Sequence, residues 1–310
     1  MRVVSLLPSA TEILYAIGSG DEVVGVTHEC DFPPEARKKP HLTGSALPTG
    51  MRPADIDRHV RANLHAGSSI YTLDAALLER LQPDLIVTQE LCPVCAVSYE
   101  LVRAATRRLT GDPRIVSLEP SSLDDVYSTI TALGDLTGHA DAARSELLAL
   151  RRREQALRSA TEGLGRPTTL VLEWTDPPMS GGHWTPGLVE LAGGKPVLAH
   201  AGKDSQRLEW SEISAADPDV IIIAPCGFDL ATATRAAKDL FDLSVWRELR
   251  AVREGRVAVV DGNAFVNRPG PRLIDTAEIF AAAIHPELTL QLQPYPDGWA
   301  WLAPARTASG

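Results

Sequence analysis

Short, almost unbroken apolar runs alternate with helix-periodic segments along nearly the whole of this chain, and that alternation leaves few folds open. The runs at 3–7, 22–27, 84–88 and 114–118 carry Val, Ile and Leu in close succession, as strands buried on both faces do. Between them, segments such as 11–17 and 75–81 space their apolar residues as helices do. A second set follows, with strands expected at 168–173, 220–224 and 257–260 and helices at 186–191, 232–240 and 272–283. Parallel strands need crossover helices, so two α/β lobes are implied. A helical stretch at 121–163 separates the sets, with Ala143, Leu147, Leu150 and Leu157 at helical spacing. Its second part, about two dozen residues, spans roughly 35 Å at 1.5 Å per residue. The expected domains are an N-terminal α/β lobe at 1–120, a linker helix at 121–163, a C-terminal α/β lobe at 164–290 and a loosely packed, proline-rich tail at 291–310.

A chain of 310 residues with 44% hydrophobic content has material for two cores. The formal net charge of -10 argues against a nucleic-acid surface, which needs clustered Lys and Arg, and favours a small neutral or cationic ligand. No run approaches the ~20 uninterrupted apolar residues of a membrane span, so no membrane insertion is expected. A strand is expected directly after Met1, which leaves no room for a leader within the sequence as given. The expected location is therefore cytoplasmic, or periplasmic or cell-surface if a leader was removed. In a reducing compartment cysteines serve as metal-binding or reactive groups more readily than as a disulfide framework.

The chemistry-bearing residues collect just past expected strands, where open α/β sheets bind their ligands. THECD supplies His28, Glu29 and Cys30, and QELCPVC supplies Glu90, Cys92 and Cys95. LEWTDPP supplies Glu173 and Trp174, SGGHW supplies His183 and Trp184, and APCG supplies Cys226. Four thiolates, one CxxC pair plus two single cysteines from separate loops, can hold zinc or an iron–sulfur cluster. Each cysteine is equally readable as a small buried hydrophobe, and CPVC as a dithiol. His28 and His183 are candidate axial ligands for the metal of a corrinoid or haem, or simply loop histidines. Trp174, Trp184 and Trp210 offer flat faces to a planar macrocycle or serve as apolar filler, whereas Trp246, Trp299 and Trp301 are expected to pack. Glu90 and Glu173 can accept hydrogen bonds from ligand amides or act as acid and base; solvated loop carboxylates read the same. LAGGK lacks the spacing of a phosphate-binding loop, RRRE reads as a solvated helix face, and there is no GxSxG nucleophile elbow.

VVSLLPSATEILYAIG, VVGVTHECDFPPEA, LQPDLIVTQ, the helical stretch and NRPGPRLID together resemble the class III (helical-backbone) substrate-binding proteins, and within them the cobalamin-binding group. The resemblance covers nearly the whole chain. It implies an α/β fold of two Rossmann-like lobes with parallel sheets joined by a single long α-helix, the ligand lying between them. It also implies that Trp210 lies against the corrin and that Arg268 lines the same site. A family tyrosine falls at Glu29, and a tryptophan expected near 43–47 is absent. The family's two acidic residues for docking an ABC permease fall at Ala76 and Ala216, beside Asp74 and Asp217, which weakens permease docking. The expected function is a non-catalytic, cytoplasmic rather than transporter-feeding protein that holds cobalamin, another corrinoid or a similar metal-bearing macrocycle. The alternative is a metalloprotein or enzyme with a Cys-ligated zinc or iron–sulfur site.

Overall fold

The computed structural model describes residues 1–48, 50–65, 70–89, 99–106, 111–288, 295 and 297–303. The chain divides into two compact units, Met1–Pro120 with Asp124–Ala149, and Ser121–Leu123 with Leu150–Gly310.

The first unit runs β1 (Val3–Ser5), α1 (Pro8–Ala16), β2 (Val23–Gly25), β3 (Thr43–Ser45), α2 (Pro53–His65), β4 (Tyr71–Leu73), α3 (Ala75–Leu81), β5 (Leu85–Thr88), α4 (Tyr99–Thr106), β6 (Arg114–Ser117) and α5 (Leu123–Thr137). Four strands form a parallel sheet in the order β2-β1-β5-β6. Every residue of β1 and β5 is buried, as an α/β sheet covered on both faces requires. Each fully buried Val, Leu or Ile contributes about 1.5–3 kcal/mol before chain entropy is set against it. Pro8 starts α1, its fixed φ suiting the first turn, and Gly18 at φ +81° follows the end of the helix. The segment between β2 and β5 adds α2 and the antiparallel pair β3–β4.

The helical stretch expected at 121–163 is two helices, α5 and α6 (Ala140–Thr161), broken at Gly138 with φ +78°. They pack closely because position 134 is glycine: a Cβ there would lie 2.5 Å from that of Ala143. α6 continues past Ala149 into the second unit.

The second unit comprises β7 (Thr168–Thr175), β8 (Pro178–Ser180), α7 (Thr185–Leu191), β9 (Lys195–Pro196), β10 (Gln206–Arg207), α8 (Trp210–Ala216), β11 (Val220–Ile223), α9 (Leu230–Asp239), α10 (Ser244–Glu248), α11 (Arg250–Arg253), β12 (Val257–Val260), α12 (Leu273–Ile284) and β13 (Trp299–Trp301). The sheet order is β10-β8-β7-β11-β12-β13, with β9 beside β7. Strands β7, β11 and β12 are parallel and form its centre; β8, β10 and β13 are antiparallel additions. α12 is buried along most of its length, and Arg153 of α6 pairs with its Asp275 and Glu278 at 2.5 and 2.8 Å. The tail is not loose throughout: 299–301 pair with β12, and the Leu302 N–H donates to the Val257 carbonyl. Trp301, expected to pack, is instead 39% exposed under the Arg256 guanidinium. Among the described residues, no helix is long and apolar enough to cross a membrane.

Candidate functional site

In the second unit, the carboxyl ends of β7, β11 and β12 and the loop after β8 bring six of the candidate residues onto one edge of the sheet. The register between β7 and β8 shifts between Leu172 and Trp174, an irregularity that re-aims side chains at a strand end. The Glu173 carboxylate accepts from Ser205 Oγ at 2.9 Å and from the Gly182 N–H at 3.4 Å. Burial nonetheless pushes its pKa up, the two hydrogen bonds only partly opposing that. Its own backbone carbonyl accepts from the Cys226 N–H, joining the end of β7 to the loop after β11. Trp174 donates Nε1–H to the Asp176 carbonyl, and its ring lies 5.2 Å from that of Phe228.

The Gly181-Gly182-His183-Trp184 loop is shaped by close approach. A Cβ on Gly182 would lie 2.4 Å from the Ser205 nitrogen, so only glycine fits without moving backbone. His183 follows in the left-handed region at φ +50°, a conformation that costs a non-glycine residue energy. Its N–H donates to the Lys203 carbonyl at 2.6 Å, and its own carbonyl accepts from the Gly202 N–H at 2.9 Å. The ring meets the Lys203 carbonyl again through Nδ1 at 3.2 Å. Burial lowers the pKa of His183, with Asp204 pulling the other way. Trp184 packs 5.5 Å from the His183 ring and donates Nε1–H to the Val266 carbonyl at 2.8 Å.

That carbonyl belongs to a π-type turn, Gly262–Val266, directly after β12. The turn presses on the loop after β11: a Cβ on Gly262 would sit 2.2 Å from the Pro225 carbonyl oxygen. The Asn267 amide donates to the Ala224 and Gly262 carbonyls, and the Asn263 N–H donates to the Phe228 carbonyl. Arg268, 4% exposed, donates Nη2–H to Asn263 Oδ1 at 3.1 Å. Cys226 is a partly exposed free thiol beside this seam. Trp210 opens α8 and stands edge-on to the fully buried Trp246 at 6.1 Å. A depression of about 780 Å³ is lined by Pro186, His200, Lys203 and Ser205 among others, and shares Ser205 with Glu173.

In the first unit, the loop after β2 carries His28, Glu29 and Cys30. The His28 N–H donates to Thr43 Oγ1, which also meets ring Nδ1 at 2.7 Å, and Tyr71 packs against the ring. Burial lowers the His28 pKa, with His41 adding to the effect. The Glu29 N–H donates to Thr27 Oγ1. Cys30 is 1% exposed, its sulfur 3.1 Å from Thr11 Oγ1 and 3.4 Å from Thr27 Oγ1. Enclosed beside two threonine hydroxyls, the Cys30 thiol sits where a small core group packs. Among the described residues, no group of three His, Cys, Asp or Glu is placed to hold a metal ion. Glu90, Cys92 and Cys95 lie outside the described residues.

The acidic residues near the expected docking positions are engaged locally. Asp74 caps α3 by accepting from the Leu77 N–H, and Asp217 ends α8 in the left-handed conformation while accepting from the Arg250 N–H. Sequence reasoning missed Ser205, Asn263, Asn267 and Thr43, which hold the candidates in place. Asn267 adjoins Arg268 and was within reach; Ser205 sits in a loop with no periodic signal.

This arrangement of short strands and crossover helices is shared with known proteins. The family model described as "Periplasmic binding protein" matches residues 3–264. The chain is 24% identical over 281 residues to the vitamin B12-binding protein of Vibrio cholerae, covering 89% of this chain and 86% of that one. It is 24% identical over 289 residues to the uncharacterized ABC transporter substrate-binding lipoprotein YvrC of Bacillus subtilis, covering 92% of this chain and 80% of the relative. Its fold is similar to that of a periplasmic heme-binding protein from Pseudomonas aeruginosa, with TM-score 0.67, 21% identity and 92% of each chain covered. The match over most of its length makes this chain a member of the periplasmic binding protein family.

Proposed function

We propose that this protein binds a corrinoid or haem-like metal-bearing macrocycle, without catalysis, on the strand-end edge of its second unit. The observation that carries the reading is the placement there of Trp174, Trp184, His183, Glu173 and Arg268, the first four each tied by a side-chain hydrogen bond to a backbone group and Arg268 to the Asn263 side chain. Partly exposed indoles supply apolar faces for a flat ring, and the imidazole and polar groups beside them suit its metal and its peripheral amides or carboxylates. Trp210, at the start of α8, is a further candidate contact, and in the first unit His28 and Glu29 stand on the loop after β2. The names of the vitamin B12-binding and heme-binding relatives support this ligand class. Family membership and the name of the Bacillus subtilis relative favour service to an ABC transporter outside the cytoplasm over the cytoplasmic role expected from the sequence.

Equilibrium dialysis of the purified protein against cyanocobalamin, aquocobinamide and hemin tests the reading. Retention of at least one, with quenching of tryptophan fluorescence, is the expected result. Retention of none removes the proposal. Trp174→Ala and Trp184→Ala are each expected to weaken retention by about 5-fold or more, the loss of one aromatic contact worth ~1 kcal/mol.

A further inference from the structure

We infer that the depression beside Ser205 is a subsite for an anionic, oxygen-bearing arm of the ligand, a carboxylate or a phosphate, and that filling it is coupled to a proton on Glu173. The inference rests on the macrocycle reading and deepens it, since it names the part of the ligand that the depression takes.

Ser205 belongs to both places. Its Oγ lies 2.9 Å from Glu173 Oε1, and the same residue lines the depression. A hydroxyl has one hydrogen to give. With Glu173 ionised, that hydrogen goes to the carboxylate, and Ser205 has only lone pairs to offer a ligand. With Glu173 protonated, the acid donates to Ser205, and the serine hydrogen is released for a ligand oxygen. The Gly182 N–H donates to Oε2 at 3.4 Å and keeps an acceptor in either state. One proton therefore sets whether this wall accepts or donates.

Two observations favour the donating state. Burial raises the Glu173 pKa, with Ser205 and the Gly182 N–H only partly opposing it. His200, Lys203 and Gln206 line the same depression as further donors, and among the described residues no hydrogen bond or ion pair engages their side chains. The Lys203 N–H donates to the His200 carbonyl at 3.2 Å, so the two residues stand at the ends of one tight turn. That turn is pinned to the loop after β8 by the bonds between His183 and both Gly202 and Lys203.

The segments around Glu173 bring other titratable groups. The loop after β8 brings His183, whose own pKa is lowered by burial; the 200–206 segment brings His200, Lys203 and Asp204; the loop after β11 brings Cys226. Glu190 of α7 completes the charged lining of the depression. Lys203, Asp204 and Glu190 are all exposed, so salt and water screen charges of both signs. Glu173 is the enclosed one, and its charge is the one an arriving anion meets at full strength.

An anionic oxygen that accepts from Ser205 holds the proton on Glu173, and the proton holds the anion by the same factor. The proton comes from solvent, and no bond between heavy atoms forms or breaks. Affinity for the anionic arm is full below the Glu173 pKa of the free protein. It falls as pH rises through that pKa, by up to about tenfold per pH unit.

Two pairs of probes test this and separate the two sources of charge. Hemin is set against its dimethyl ester for a carboxylate, and cyanocobalamin against dicyanocobinamide, which lacks the phosphodiester arm, for a phosphate. Dissociation constants are measured for the full chain, Glu173→Gln, Ser205→Ala and Lys203→Ala at about pH 5, 7 and 9. Far-ultraviolet circular dichroism establishes that each variant is folded, and Lys203→Ala, on an exposed turn, keeps the test open should a change at the enclosed positions unfold the chain. In the wild type, affinity for the anionic member of at least one pair is expected to fall ~10-fold or more across that range. Glu173→Gln is expected to flatten the profile; the titration of His183, of His200 and of the probe itself is common to both proteins and cancels in that comparison. Ser205→Ala and Lys203→Ala are expected to weaken the anionic member by ~3- to 5-fold and to leave its neutral counterpart unchanged. A Glu173→Gln profile that matches wild type, or equal losses for both members of each pair in Ser205→Ala or Lys203→Ala, overturns the subsite and leaves the macrocycle reading standing. Failure of the wild-type protein to retain any of the four probes overturns both.

Discussion

At Glu173 a carboxylate at a strand end accepts from Ser205 and the Gly182 N–H, and burial raises its pKa above the unfolded value near 4.5. The native state then holds this proton more tightly than the unfolded chain, so the contribution to stability is present below the unfolded pKa and is lost as pH rises through the native one. Glu173→Gln keeps an acceptor for Ser205 and removes the charge. It is expected to be at least as stable as wild type at pH 7, with the advantage vanishing below about pH 4. Urea midpoints measured at intervals across that range check it, and equal pH profiles for the two proteins would contradict the assigned burial. Trp184 makes a second test at this scale. Trp184→Phe keeps an aromatic ring beside His183 but strands the Val266 carbonyl, and is expected to cost about 1 kcal/mol in chemical denaturation. Both residues were visible in the sequence as polar-tipped groups past a strand. Their partners, Ser205 and a backbone carbonyl more than 80 positions away in the case of Trp184, were not, because no sequence period encodes them.

The helices and turns that carry the strand-end site depend on a few termini and close approaches. Asp229 caps α9, accepting from the Thr232 N–H at 2.7 Å, and hydrogen bonds from the Thr232 side chain and N–H hold its carboxyl below the usual range. Asp229→Ala is expected to lower stability by about 1 kcal/mol, within the 0.5–2 kcal/mol of such caps, measured by denaturant unfolding. Gly262→Ala tests the seam between the loops after β11 and β12. Its Cβ would meet the Ala224 and Pro225 carbonyls, which are backbone and cannot swing aside. A loss of about 1–3 kcal/mol is expected, with weaker macrocycle retention because the turn that receives Trp184 must shift. The long buried strands and amphipathic helices were legible element by element: α3, β12 and most of β7 fall where the apolar pattern puts them. β3, β4, β8, β9, β10 and β13 were not, since two or three residues are too few to display alternation. The break between α5 and α6 was signalled only by Gly138.

Across the whole molecule, ligand and stability are linked by mass action. A macrocycle that binds only the folded chain at about 100 times its Kd is expected to raise unfolding free energy by ~2.7 kcal/mol. Urea unfolding with and without hemin or aquocobinamide measures this, and an unshifted midpoint at saturating concentrations would count against native-state binding. Composition and hydrophobic period by themselves determined that the chain builds two α/β units on parallel strands, because burial on both faces writes continuous apolar runs into the sequence. They also placed the chemistry-bearing residues just past those strands. Which of them share a site was decided by tertiary structure alone. Cys30 and Cys226 look alike in sequence, yet one is sealed between two threonines and the other stands at a partly exposed seam. The distinction lies in contacts between segments distant in the chain, and a local pattern carries no record of those.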